Sequence, residues 1–479
     1  MSITTTIKTI QDIMRQDAGV DGDAQRISQL TWLLFLKIFD DREAEYELDP
    51  RYLSPIPAAL RWRNWAANEE GITGDELLDF IDDQLFATLK DPEKMLTNGD
   101  PRARLVHEVF ADSYNYMKSG TLLRQVVNRV NQIDFTSSAE RHVFNDLYEK
   151  ILRDLQSAGN AGEYYTPRPV TQFMVDMTDP QLGHVMLDPA GGTGGFMICT
   201  VEHVRKRYVK GPADEAILQR SIRGIEKKPL PHLLCTTNLI LHDIEVPQVT
   251  RGNALTQRPY KDYGEADQVD VILTNPPFGG MEEPGVEQNF PAKFQTKETA
   301  DLFLALIVKL LKDGGKGAIV LPDGSLFGEG VKTRLKEHLL ETCNLHTIVR
   351  LPKGVFNPYT GINTNLLFFT KGTPTTEVWY FEHPMPGDRK QYSKTRPIDS
   401  AEFDLEKAWW HDRVENEYAW RVSLDEIKAR NYNLDIKNPS VEAVLHGDPT
   451  TLLHGYQKQL AEIAALRATL KAELEAALR

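Results

Sequence analysis

Apolar residues along the first third of the chain recur at helical spacing. Ile27, Leu30, Leu33, Leu34, Leu36, Ile38 and Phe39 continue one apolar face that runs into Asp40-Asp41-Arg42-Glu43, which reads as an acidic surface. Further helices are expected over Asp75–Thr88, Arg104–Met117, Gly120–Val130 and Ser138–Leu155, separated by Pro, Gly and Asn. From Gly162 the pattern changes to short apolar, β-branched runs alternating with helical stretches. Strands are expected at Val185–Asp188, Ile222–Glu226, Val269–Thr274, Gly317–Leu321, Leu345–Leu351, Leu366–Thr370 and Val378–Phe381. Helices between the early strands imply a mainly parallel sheet, and the closer spacing of the late ones implies antiparallel pairing at its end. The chain closes with a long helix from Thr450 to Arg479. In it Leu453, Tyr456, Leu460, Ile463, Leu470 and Leu474 form a coiled-coil-like stripe interrupted at Arg467. That stripe suits packing on its own protein or docking into a helical partner. The organisation expected is a helical domain over 1–158, an α/β domain over 159–440 and a C-terminal docking helix over 441–479.

Composition narrows the class. The chain has 479 residues, enough for two or three domains, with 41% hydrophobic and 26% charged residues. No segment is long and apolar enough to span a bilayer, and Met1–Thr6 has no secretory pattern, so a cytoplasmic protein without a membrane partner is expected. Cys199, Cys235 and Cys343 are far apart and form no ligand cluster, so they read as buried thiols and no metal is expected. A formal net charge of −14 argues against this chain gripping DNA alone over a long footprint. If nucleic acid is the substrate, a basic partner or a local basic groove must supply much of the grip.

Candidate chemistry sits at strand ends. Val269–Thr274 delivers Asn275-Pro276-Pro277-Phe278, where two prolines stop both strand and helix. An amide oxygen and a fixed carbonyl make a two-acceptor clamp for an exocyclic NH₂, with an aromatic ring on which a planar base can stack. Alone, the tetrapeptide also reads as a rigid strand exit. Asp188-Pro189-Ala190-Gly191-Gly192-Thr193-Gly194-Gly195-Phe196 follows another strand and enters a helix. A dinucleotide loop is one reading, but the strand-end Asp188 would repel a pyrophosphate and suits a cationic, zwitterionic ligand such as S-adenosyl-L-methionine. Glu226 closes the next strand, where an acidic residue accepts both ribose hydroxyls; a surface glutamate is the alternative. Gly162-Glu163-Tyr164-Tyr165-Thr166-Pro167 reads as a helix entry with Thr166 as N-cap and Pro167 at the first helical position. Asn253 and Ala254, in Gly252-Asn253-Ala254-Leu255, close a third strand, with Asn253 set to contact a cofactor adenine or to make a turn. Gly279 to Thr299 reads as a long mobile loop that closes over a bound base, or as a plain surface loop.

The ordered set GEYYTP, DPAGGTGGF, the GIE strand end, GNAL and NPPF resembles the amino-methyltransferases that modify DNA adenine at N6, in the gamma motif order. The helical N-terminus, Asp301-Leu302-Phe303, Arg430-Asn431-Tyr432-Asn433-Leu434-Asp435 and the C-terminal helix resemble the modification subunit of type I restriction–modification systems. The resemblance covers essentially the whole chain. It departs at Gly191, where the family often has Cys, and at Ala254, often polar. It implies an S-adenosylmethionine-dependent methyltransferase fold: a Rossmann-like mixed sheet with a helical N-terminal domain and a C-terminal coiled-coil-like helix. Asn275, Pro276, Pro277 and Phe278 would hold a flipped adenine. Glu163, Tyr164, Tyr165, Thr166, the Asp188–Phe196 loop, Glu226, Asn253 and Ala254 would hold the cofactor. Implied partners are double-stranded DNA, one specificity subunit for two modification subunits, and a restriction (nuclease/translocase) subunit. Cytosine N4, protein glutamine or a non-catalytic scaffold role are the rivals.

Overall fold

The computed structural model describes residues 3–97, 99–135, 148, 165–387, 389–440 and 449–477. The helix expected over Ser138–Leu155 lies outside these, apart from Tyr148, as does the boundary at 158/159. One sheet organises the α/β part. Its strands are β1 (Met186–Asp188), β2 (Ile222–Glu226), β3 (Gln248–Arg251), β4 (Val269–Thr274), β5 (Leu311–Pro322), β6 (Cys343–Arg350), β7 (Thr364–Lys371), β8 (Glu377–Glu382) and β9 (Ala419–Ser423). Their order is β3-β2-β1-β4-β5-β7-β6-β8-β9. The first five are mutually parallel, with Leu187 opposite Ile272 and Thr274 opposite Ile319. β7 then inserts antiparallel between β5 and β6, and β9 pairs antiparallel with β8. Chain order reverses between β1 and β4, which opens a crevice at their carboxyl ends.

β4 is a continuous apolar run because both of its faces are covered. Val271 and Leu273 pack with Phe173, Met197 and Ile198 on one side, and Ile272 packs with Leu302 and Leu306 on the other. β9 escaped the sequence reading because it is short; its cue was Trp420 and Val422, both buried, on either side of exposed Arg421.

The N-terminal helices, Ile3–Met14, Gly22–Tyr46, Pro101–Phe110 and Gly120–Asn131, build their own core around Trp32, Phe35, Phe86 and Phe110. That core continues into the α/β part through Leu233, Leu234, Ile240 and Leu241 of the helix Pro229–Leu241. The acidic surface expected at Asp40–Glu43 is instead largely interior: Asp40 and Glu43 are buried. Arg63 Nε donates to Asp40 at 2.9 Å and Tyr52 Oη to Glu43 Oε1 at 2.7 Å, so protein donors replace part of what solvent would have supplied. The helix expected to reach Met117 ends at Phe110. Beyond it the Asp17 carboxylate accepts from the backbone of Lys118 and Ser119, each at 2.9 Å, and fixes an extended connector.

Chain packing divides the protein into Met1–Ile436 and Lys437–Arg479. The second unit contains the helix Pro449–Ala477, in which Leu453, Tyr456, Leu460, Ile463, Leu470 and Leu474 are all exposed. Among the described residues no helix is long and apolar enough to cross a membrane, and no cluster of ligating side chains suited to a metal occurs.

A hydrogen-bonded clamp around the buried His203 joins the C-terminal ends of the helices Arg168–Thr178 and Gly195–Arg207. His203 Nε2 lies 2.8 Å from Asp179 and Nδ1 3.3 Å from Asp176, which also takes Lys407 at 3.0 Å. Burial pushes Asp176 up, but hydrogen bonds from His203, Lys407 and Gln172 outweigh it and hold the carboxyl well below the usual carboxylate range. A depressed carboxyl stabilises the fold above the ordinary value of about 3.9 and loses that contribution as pH falls through the depressed one. Asp176→Asn is therefore expected to lower the thermal midpoint by ~2–4 °C at neutral pH. The deficit should shrink on acidification below about pH 4, read from midpoints across a pH series.

Candidate functional site

Three strand ends and one helix entry meet in the crevice. β4 stops at Thr274, whose hydroxyl donates to Asp188 Oδ1 of β1 at 2.7 Å. Asp188 also accepts from the Ala190 backbone at 3.1 Å. The chain then turns through Gly191–Gly194. Gly192 and Gly194 have φ of +54° and +87°, the left-handed region where side chains are strained. Gly194 also sits against Cys235, whose Sγ would lie 3.0 Å from an added Cβ. At Gly191, which has ordinary φ, an added Cβ would meet only the flexible end of Met197 at 3.1 Å and the Ile225 carbonyl at 3.4 Å. The position at which the related pattern often carries Cys thus admits a side chain, unlike Gly192 and Gly194.

Glu226 ends β2 with both oxygens engaged, accepting from the Gly192 backbone at 2.8 Å and the Lys228 backbone at 2.7 Å. Each carboxylate oxygen keeps lone-pair capacity for a ligand hydroxyl. Burial pushes Asp188 up to about 7 against the pull of Thr274 and Ala190, and the Glu226 charge adds to the rise. Glu226 is raised as well, chiefly by burial. Two buried carboxyls facing one crevice with raised affinities for protons mark a place where a cation would be welcome.

Asn275 leaves β4 with its Nδ2 donating to Thr166 Oγ1 at 2.9 Å, while its Oδ1 is buried with no hydrogen-bond partner in the structure. This corrects the expected role of Thr166. The helix begins at Arg168 behind Pro167 with no side-chain cap, and the hydroxyl is spent on the amide across the crevice. Phe278 lies beyond the prolines, half-buried, with its ring centroid 5.9 Å from that of Phe356 and the planes at 79°.

Thr166, Asp188, Pro189, Ala190, Gly191, Gly192, Gly195, Phe196, Glu226, Asn253, Ala254, Asn275 and Pro277 all line one cavity of about 780 Å³, its open mouth included. Tyr165 and Pro276 are buried beside it. Thr193 turns its carbonyl to Asn238 Nδ2 at 3.2 Å, and Gly194 serves the turn. Glu163 and Tyr164 lie outside the described residues. Asn253, a candidate for adenine contact, is committed at both ends: Oδ1 accepts from the Leu255 backbone at 3.0 Å and Nδ2 donates to Glu282 at 3.0 Å.

Lys227, Lys228, Gly252, Glu282, Thr299 and Phe303 also line the cavity, and none of them was among the expected cofactor or clamp residues. Glu282 lies in the segment expected to be a mobile loop. There Val286, Phe290 and Phe294 are buried, Met281 bridges to Glu298, and two short 3₁₀ turns fill the rest. The cue for packing was the spacing of those apolar residues among the polar ones.

The sequence profile of the N-6 DNA Methylase family matches residues 139–445, and that of the HsdM N-terminal domain matches residues 3–130. The EcoEI type I restriction enzyme methylase subunit of Escherichia coli is 60% identical, covering 100% of this chain and 99% of that one. A crystal structure of a modification subunit assigned to a type I restriction enzyme from Vibrio vulnificus YJ016 superposes with a TM-score of 0.83 at 46% identity, over 92% of this chain and 98% of that one. A chain from a type I R-M system solved to explain complex assembly and conformational transition gives 0.82 at 35% identity, over 99% and 98%.

Gly194→Ala is expected to cost about 1–3 kcal/mol, as a side chain forced into the left-handed region beside Cys235. Gly191→Ala should cost less than half of that. Denaturant unfolding of the two variants checks the contrast.

Proposed function

The chain belongs to the N-6 DNA methylase family as the modification subunit of a type I restriction–modification system, and from that premise we propose how its own residues carry out adenine N6 methylation. The observation that carries the reading is the buried, unpartnered Asn275 Oδ1 at the end of β4. A buried acceptor without a donor costs about 1–3 kcal/mol, and a ligand NH₂ that reaches it recovers that cost.

The cofactor, S-adenosyl-L-methionine, supplies an electrophilic methyl group on a sulfonium sulfur. The donor set on this chain fits it. Glu226 keeps acceptor capacity for the ribose hydroxyls, the left-handed glycines let the backbone approach closely, and the buried Asp188 and Glu226 favour a cationic guest. The target adenine leaves the duplex and its amino group donates to Asn275 Oδ1 and the Pro276 carbonyl, while Phe278 stacks on the ring. Those bonds localise the nitrogen lone pair and direct it along the axis of attack. The bound cofactor would supply the methyl group and keep the C–S electron pair as a neutral thioether, and the surplus proton on the tetrahedral nitrogen would pass to water. No strong base is needed, so positioning and fixed dipoles do most of the work. Thr166 is a positioning residue here, since its hydroxyl accepts from Asn275 Nδ2 and leaves Oδ1 as the amide's unpaired acceptor.

Within the complex the division of labour follows from charge. A chain with net charge −14 leaves most of the DNA grip to a specificity subunit, with two modification subunits to each specificity subunit and a restriction subunit as further partner. The helix Pro449–Ala477 offers its exposed stripe for that assembly, and the domain limits are assigned as 1–158, 159–440 and 441–479. The protein is assigned to the cytoplasm, where its DNA substrate lies.

Asn275→Ala is expected to lower methyl transfer by ~10²–10³-fold in the assembled complex, leaving cofactor affinity within a few-fold. Labelled methyl incorporation into DNA measures this, and near-normal transfer at saturating cofactor would sink the clamp. The sign for Asp188 runs with pH. Its carboxyl is about half protonated near pH 7 in the free protein, and a cationic ligand binds the ionised form better. Cofactor affinity should therefore rise as pH increases through about 7 and level off above it, by calorimetry. Asp188→Asn should bind more weakly and lose that dependence.

A further inference from the structure

We propose that Glu282 is a positioning residue that couples cofactor occupancy to the pose of the segment holding the target base. This rests on the methyltransferase reading above. Glu282 lies four residues after Phe278, at the start of the segment that runs from the base clamp to the helix Thr299–Leu310. Its backbone is fixed there: Glu282 N donates to the Lys297 carbonyl at 2.8 Å, and Thr299 N donates to the Gly280 carbonyl at 3.0 Å. Its side chain reaches back across the crevice. The carboxylate accepts from Asn253 Nδ2 at 3.0 Å, Lys227 Nζ at 3.2 Å and Thr299 Oγ1 at 3.1 Å.

Two of those donors belong to the cofactor side and one to the clamp side. Lys227 follows Glu226 at the end of β2, and Asn253 follows β3; Thr299 heads the helix that closes the clamp segment. All three line the cavity with Glu282 itself. Only 7% of the Glu282 side chain is exposed, so a donor drawn away from it is not simply replaced by bulk water. A ligand with purine or ribose acceptors competes for Asn253 Nδ2 and Lys227 Nζ. Its arrival changes what Glu282 holds, and with it the free energy of the segment beside Phe278. By linkage the effect is reciprocal: a seated base alters cofactor affinity by the factor with which the cofactor alters the affinity for DNA.

The test is a thermodynamic cycle on the complex with its specificity subunit. S-adenosylhomocysteine, the cofactor without its transferable methyl group, is titrated calorimetrically with and without the recognised unmodified duplex, whose target adenine keeps the amine that the clamp holds. The wild-type complex is expected to bind cofactor ~5–150-fold differently in the two states. Glu282→Ala should bring that ratio to near one, while Glu283→Ala, an exposed neighbour, should leave it unchanged. Glu282→Gln keeps the shape and one acceptor, and should give an intermediate ratio; it carries the test if the alanine variant fails to fold. A purely structural role would weaken both affinities together and leave the ratio intact. A wild-type ratio of one, or wild-type ratios in folded Glu282 variants, overturns the proposal. Methylation of the unmodified duplex by the wild-type complex, run in parallel, separates this failure from failure of the functional reading itself.

Discussion

The hydrogen bond from Thr274 to Asp188 is the constraint on which the site depends. It joins the last residues of β4 and β1, the two strands between which chain order reverses. Asn275 follows one partner and the glycine loop follows the other. A base clamp and a cofactor loop far apart in sequence are thus registered to each other through one buried bond. Because Asp188 is almost wholly removed from water, the bond has no solvent competitor. The raised affinity of Asp188 for a proton is the electrostatic cost of that burial, and it disposes the crevice toward a positively charged guest.

The strands that carry the site were legible because their patterns are local. β2 and β4 were expected at the residues they occupy, since apolar runs ended by Gly, Glu or Pro-Pro leave little ambiguity. The glycine loop was legible because left-handed backbone has few alternatives to glycine. What the sequence concealed is who bonds with whom over long separations. Thr166 had every local mark of an N-cap, yet its hydroxyl serves Asn275, which is distant in sequence. Asp40 and Glu43 looked like surface acids because their partners, Arg63 and Tyr52, come from the following turns. Glu282 sits in a polar stretch whose meaning appears only when β2, β3 and the helix after it converge.

The helical N-terminal region is not a detachable appendage. Its core runs into the helix Pro229–Leu241, and Tyr148 donates to the Leu234 carbonyl at 3.2 Å. That helix starts directly after Lys228, whose backbone holds Glu226. The packing of the first region therefore bears on the wall of the crevice through one rigid element, so damage to it should be felt at the site even where no N-terminal residue touches a ligand.

The buried acids have a consequence for how the molecule looks from a distance. Among the described residues the buried charged side chains are Asp17, Asp40, Glu43, Asp188, Glu226, Asp301 and Glu406, against Lys37, Arg124, Lys336 and Arg350. Burial raises the proton affinity of five of these acids, Asp40, Glu43, Asp188, Glu226 and Asp301. Part of the acidity is thus set inside the fold, where it orders loops and strand ends, rather than on the surface that an approaching polyanion meets first.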